Sequence, residues 1–397
     1  MRLDQSGALG QLTYCTNIHA GEAWPDVIAS LKQHVPDIKA AVAPDTTFGI
    51  GLRIGGSACQ ALQRDEFVAE LREFLSATDC NVVTFNGFPY GAFHGQKVKE
   101  EVYSPDWSEA VRLNYTNALA DTMSAILPEN EIGSISTVPG TFKAWAKGRE
   151  DAIAANLIAH IAHLIEIKRQ TGKHIALALE PEPCCMLETI AEAVEFFENR
   201  LFNNEAQSLL IAQTDLAKGD AAQALRDHIG LCYDVCHAAV EYEDPKRSIA
   251  ALQDSGIQIS KLQLSSALRI SRIDEDQLAE LRNFDEPVYL HQVIQNKAGQ
   301  LTRFTDLQSA FAQSELASGA EWRVHFHVPV FLERMEKFGT TQFFLKEILA
   351  LHRSNPISPH LEVETYTWDV LPPQYRNVSV SAAIAREIAW VKDQLLA

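Results

Sequence analysis

Apolar and polar positions along the chain follow two alternating rhythms. Short β-rich runs occur at QLTYCTNIH (11–19), FGIGLRIG (48–55), NVVTFNG (81–87) and GSISTVP (133–139). Four more follow at HIALALEPE (174–182), IGLCYDVCH (229–237), ISKLQLSS (259–266) and HLEVETYTW (360–368). Between them, the stretches 65–77, 150–172, 187–202 and 340–354 carry apolar residues at helical spacing, and the second ends on Gly172, suited to a helix C-cap. Strands and helices in alternation, in a chain of 397 residues, predict a (β/α)₈ TIM barrel. A doubly wound open sheet is the structural alternative, but TYCTNIHAGEAW after the first strand lacks the GxGxxG spacing of a dinucleotide loop. The reading is one α/β domain over 1–397, with an irregular insertion around 267–323.

The strands read apolar until their carboxyl ends, where polar residues gather. Strand one ends in Asn17 and His19, strand three in Asn86, and strand five in Glu180 and Glu182. Strand six ends in Asp234 with His237 three residues on, strand seven carries Gln263, and strand eight carries Glu362 and Glu364. Barrel enzymes build their active sites from this rim, so the distribution marks a site. An isolated buried carboxylate is costly unless paired or metal-bound, which favours Glu180 as a ligand over a strand-end Glu facing a loop. Glu182 is balanced between substrate contact and structural rim.

In DVCH, Asp234 and His237 fall one helical turn apart if the chain turns there, so carboxylate and imidazole converge on one centre. Of the last two acidic residues, Glu364 is expected to face the barrel mouth because it lies nearer the strand end. Gln263 is as readily a core hydrogen-bonding residue as a ligand. The run VHFHVPVF (324–331) aims His325 and His327 to one side if it is a strand, as core imidazoles or as half of a site. Carboxylates from several strands cannot all stay ionised together without a cation. Oxygen ligands suit Mn²⁺ or Mg²⁺, and histidine participation brings in Zn²⁺ or Fe²⁺.

Charge and cysteine use narrow the function classes. The net charge is −18, with 52 acidic against 34 basic residues, so nucleic-acid binding is disfavoured. No apolar run approaches the length of a membrane span, and the first residues lack the pattern of a secretory signal. The 7 cysteines form no CxxC pair, which points to free thiols in a reducing cytoplasm.

The motifs LALEPEP, CYDVCHA, KLQLSS, HFHVPVF and VETYTW run in the order found in xylose-isomerase-like TIM barrels, which include ketose 3-epimerases, sugar isomerases and endonuclease IV. More closely, TYCTNIHAGEAW, FNGFPYGAFHG, VKEEVYSPDW and GSISTVPGTFK resemble the EboE family of metabolite traffic proteins. That resemblance implies a small sugar or cyclitol-like metabolite in a secondary-metabolite pathway, with a homo-oligomer or contacts to other pathway proteins left open. It also implies a divalent metal (Mn²⁺, Mg²⁺ or Zn²⁺) on Glu180, Asp234 and Glu364, with Gln263 standing where the superfamily usually has a ligating His. His237, His325 and His327 match positions that bind a further metal in the endonucleases or substrate in the epimerases. Isomerase or epimerase chemistry would use Glu180 and Glu364 to move a proton through an enediolate, with His19, Asn86, Glu182 and His237 contacting substrate. A phosphodiesterase of the endonuclease IV type and a non-catalytic metabolite carrier are the alternatives.

Overall fold

The computed structural model describes residues 1–397, the side chain of Leu316 excepted. Eight parallel strands form a nearly closed barrel in the order β1-β14-β7-β6-β5-β4-β3-β2. They are β1 Gln11–Tyr14, β2 Phe48–Arg53, β3 Cys80–Asn86, β4 Ile132–Thr137, β5 His174–Leu179, β6 Ile229–Asp234, β7 Ile259–Leu264 and β14 His360–Val363. A lone parallel bridge between Cys15, just past β1, and Gly51 of β2 spans the two ends of the ring. The fold is thus the TIM barrel that the alternation of strands and helices predicts. Helix Glu150–Thr171 ends at Gly172 in the left-handed conformation (φ 73°), as its C-cap requires. Among the described residues, no helix is long and apolar enough to cross a membrane.

The barrel interior is polar one layer below the mouth. Lys261 Nζ lies 2.6 Å from Glu362 Oε1, both side chains fully buried. Ser136 Oγ (3.3 Å from Lys261 Nζ) and Thr13 Oγ1 (3.3 Å from Glu362 Oε2) complete the layer. Gly51 makes room for it: a Cβ there would sit 1.3 Å from Glu362 Oε2. Because side chains two apart in a strand share a face, this pair places Gln263 and Glu364 directly above it.

The stretch expected to be irregular is a second sheet, and it runs past residue 323. It comprises β8 Leu268–Ile270, β9 Val293–Lys297, β10 Gln300–Phe304, β11 Glu321–Val324, β12 Arg334–Met335 and β13 Phe338–Thr340. These pair antiparallel in the order β10-β9-β11-β8-β13-β12. Strands of only two to five residues leave little periodicity to read in sequence. The sheet is tied to the barrel's long loop after β3, where Val98 N–H and Lys99 N–H both donate to Val288 O at 2.8 and 2.9 Å.

Candidate functional site

Three carboxylates meet at the barrel mouth. Glu180 follows β5, Asp234 ends β6 and Glu364 follows β14, and one oxygen of each lies within 4.8 Å of the others. Asp234 Oδ1 caps the helix Val235–Val240 by accepting from His237 N–H (3.0 Å) and also accepts from Ser265 Oγ (2.7 Å). This N-cap is the turn that brings His237 over the cluster. Glu364 Oε1 is held by Asn17 Nδ2 (2.7 Å) and Asn86 Nδ2 (3.0 Å). Glu180 Oε2 and Asp234 Oδ2 are buried with no hydrogen-bond partner. Burial, then the neighbouring Glu364 and Asp234 charges, push the Glu180 carboxyl well above its usual range. Burial likewise raises Glu364, while the buried Lys261 pulls against that rise.

Beside the carboxylates stand three imidazoles. His325 Nε2 lies 3.1 Å from His237 Nε2 and 3.3 Å from His327 Nε2. Each Nδ1 faces a carbonyl oxygen: Pro181 O for His237 (2.9 Å), Gln292 Oε1 for His325 (2.7 Å) and Glu364 O for His327 (3.0 Å). The Gln292 amide is oriented by its other end, whose Nε2 has Glu182 Oε1, Tyr103 OH and Pro183 O as acceptors. The proton of each ring therefore sits on Nδ1, and the three Nε2 lone pairs converge. Burial holds His237 down to about 3 and His325 well below its ordinary value, so neither ring is protonated at neutral pH.

Converging lone pairs and unpartnered carboxylate oxygens, all buried, are what a divalent cation would satisfy. The residues present fit such an ion, with three overlapping donor groups. Glu180, Asp234 and Glu364 form one, Asp234, His237 and His327 a second, and Cys236, His325 and His327 a third. Asp234 is common to the first two.

The remaining candidates fall into different places. Glu182 lines the same cleft, its Oε1 accepting from Tyr103 OH (2.6 Å) and Gln292 Nε2 (3.0 Å), and burial raises its pKa to about 8. Asn86 lines the cleft as well, but its amide is spent on Glu364. Gln263 presents its amide nitrogen to Glu180 Oε1 (3.4 Å), so it meets the cluster as a donor where a ligand would offer its carbonyl. His19 is not among the cleft-lining residues. β1 stops at Tyr14, and a 3-10 turn over Thr16–Ile18 carries His19 to a separate small pocket, stacked on His34 (4.3 Å). VHFHVPVF is also not a strand beyond Val324, yet both imidazoles share a side, their Nε2 atoms 3.3 Å apart. Sequence reasoning missed Gln292, Tyr103 and Tyr366 as site residues: Gln292 lies just before β9, and Tyr103 and Tyr366 lie on 3-10 turns, inside VKEEVYSPDW and VETYTW but not at a strand end.

The cleft, counted with its open mouth, spans about 520 Å³. No family model matches the sequence, and no curated protein matches it. Among solved structures, the chain is similar to a xylose isomerase-like TIM barrel protein from Mycobacterium smegmatis in complex with magnesium, with 11% identity, TM-score 0.53, and coverage of 98% of this chain and 97% of that one. It is also similar to an L-ribulose 3-epimerase, with 12% identity, TM-score 0.50, and coverage of 98% and 95% respectively. At these identities the likeness shows the fold alone, a TIM barrel.

Proposed function

We propose that this protein is a divalent-metal-dependent isomerase or epimerase acting on a sugar- or cyclitol-like hydroxy-carbonyl metabolite. The observation that carries the proposal is the convergence of Glu180, Asp234 and Glu364 from three strand ends, with two of their oxygens buried and unpartnered. The two structural likenesses, one to a magnesium complex and one to a sugar epimerase, agree with it. The EboE-like motifs favour a place in a secondary-metabolite pathway.

A divalent ion held by Glu180, Asp234 and Glu364, with His237, His325 and His327 alongside, would supply positive charge that acidifies the carbon next to a carbonyl. The chain's own groups do the rest. Glu180 and Glu364 reach the cleft from different strand ends, which suits one to take a proton from carbon and the other to return one. Asn17 and Asn86 fix Glu364 Oε1 and leave Oε2 for that task. Glu182, raised to about 8 by burial and held through Oε1 by Tyr103 and Gln292, lines the cleft within reach of a substrate oxygen. Lys261, one layer down, offsets part of the cluster's negative charge without reaching the cleft.

The test is proton exchange. Protein loaded with Mn²⁺ or Zn²⁺ in D₂O should exchange the α-proton of small ketoses, followed by NMR, and Glu180→Gln should abolish it. Absence of exchange with any divalent ion, together with tight metabolite binding, would instead make the protein a carrier. The imidazole cluster favours a second reading, a phosphodiesterase of the endonuclease IV type. Cleavage of an abasic-site duplex by the loaded protein, lost in Asp234→Ala, would establish that reading in its place.

A further inference from the structure

The cleft is divided into a polar floor and an apolar wall. The strand ends supply the floor: Glu180, Glu182, Glu364, His237 and His325. The long loop after β3 and the turn before β9 supply the wall, with Phe88, Pro89, Phe93, Val98, Val102 and Leu290. Between the two, Phe93, Tyr289 and Tyr366 form a ring cluster with centroids 5.0 Å (Phe93–Tyr289), 5.3 Å (Phe93–Tyr366) and 5.0 Å (Tyr289–Tyr366) apart. These rings come from three separate segments, so the chain is assembled to place aromatic surface above the polar groups.

The wall offers nothing to an anion. Lys99 is the one cation among the described lining residues, and its Nζ is 2.6 Å from Asp306 Oδ2. Arg53, behind Phe93 with its guanidinium carbon 5.7 Å from the ring centroid, is paired to Glu22 at 2.8 Å. A phosphorylated substrate would place its phosphate against hydrocarbon, with no free basic side chain to meet it. An unsubstituted sugar would leave hydroxyls unpaired there. Apolar surface continuous with a polar site is best matched by an apolar group on the same ligand.

We infer that the substrate is an uncharged hydroxy-carbonyl compound carrying a ring-sized apolar substituent, the polar head on the strand-end floor and the substituent against Phe93, Leu290 and their neighbours. This deepens the isomerase reading and rests on it for the head group only. The probes are three α-hydroxy ketones that differ at one end: hydroxyacetone, 2-hydroxyacetophenone and dihydroxyacetone phosphate. Calorimetric titration of the full-length, Mn²⁺-loaded protein should show 2-hydroxyacetophenone binding at least tenfold tighter than hydroxyacetone, equivalent to about 1.4 kcal/mol. In Phe93→Ala, and separately in Leu290→Asn at the partly exposed rim, that ratio should fall toward one while the affinity for hydroxyacetone and the bound metal stay unchanged. Equal affinities, no binding by either ketone, or tightest binding by the phosphate overturns the inference. Proton exchange separates the two claims. Exchange of hydroxyacetone without an aryl preference removes this inference and keeps the isomerase. Aryl preference without exchange of any ketone does the reverse.

Discussion

His325 Nε2 and His327 Nε2 lie 3.3 Å apart, while the Nδ1 of each is turned away onto a carbonyl oxygen. Two lone pairs at that distance repel, and the carbonyl contacts prevent either ring from relieving the repulsion by changing tautomer. Gln292 is central to this, because its Oε1 fixes His325 and its Nε2 fixes Glu182. Groups that orient a ligand typically matter tenfold to a hundredfold in metal affinity. Gln292→Ala should therefore weaken Zn²⁺ binding by about 10–100-fold, measured by competition with a chelating dye, with the fold unchanged by circular dichroism. Unaltered affinity would remove His325 from the metal centre.

The Lys261–Glu362 pair is fully buried, so removing one partner strands a charge. Lys261→Met should destabilise the protein by about 3–5 kcal/mol in denaturant unfolding. The double variant Lys261→Met/Glu362→Leu should recover much of that loss, because the stranded carboxylate is gone. If the double variant is as unstable as the single one, the defect lies in packing and not in charge.

Gly51 is constrained by the same pair. Its missing side chain is occupied by the Glu362 carboxylate, so Gly51→Ala must push Glu362 off Lys261. A loss of about 3 kcal/mol, at the upper end of the overpacking range, is expected in thermal or denaturant unfolding. A neutral substitution would show that the bridge between β1 and β2 has room to open.

Glu387, on the C-terminal helix Val380–Leu396, is buried and accepts from Thr365 Oγ1 (2.7 Å) and Val330 N–H (3.0 Å). Burial raises its pKa from 4.5 to about 7. In the unfolded chain it ionises at the lower value, so the folded state binds the extra proton between the two. Its contribution to stability is complete below about pH 4.5 and is lost as the pH rises through about 7. The size is on the order of 3 kcal/mol, from 1.36 kcal/mol per pKa unit. Glu387→Gln removes the ionisation, so the variant should gain on the wild type across that window in urea unfolding. Parallel stability profiles would contradict the assignment.

Much of the barrel and its mouth was legible because both depend on local pattern. HIALALE shows an apolar strand ending on an acid, and DVCH shows a cap followed by a helical turn, so Glu180, Asp234 and His237 could be located without coordinates. Glu364 over Glu362 followed from nearness to the strand end, and Glu362 lies below it against Lys261. What was hidden depends on distant partners. The second sheet uses strands too short to show alternation, and Gln292 sits in its connection to β9. The reach of His19 depended on where β1 stopped, since a strand continued to residue 19 would have kept it at the mouth. Lys261 carries no signal of its own in KLQLSS, and its place beside Glu362 depends on barrel closure.

The central claim is that the strand-end carboxylates and the adjoining imidazoles hold a divalent metal. Elemental analysis of purified protein, after incubation with Mn²⁺ and with Zn²⁺ and removal of free ion, tests it most directly. Asp234 belongs to both donor groups that contain carboxylates, so the account predicts at least one ion per chain in the wild type and its loss in Asp234→Ala. Wild-type protein that stays metal-free, or an Asp234→Ala variant that retains its full metal content, would contradict it.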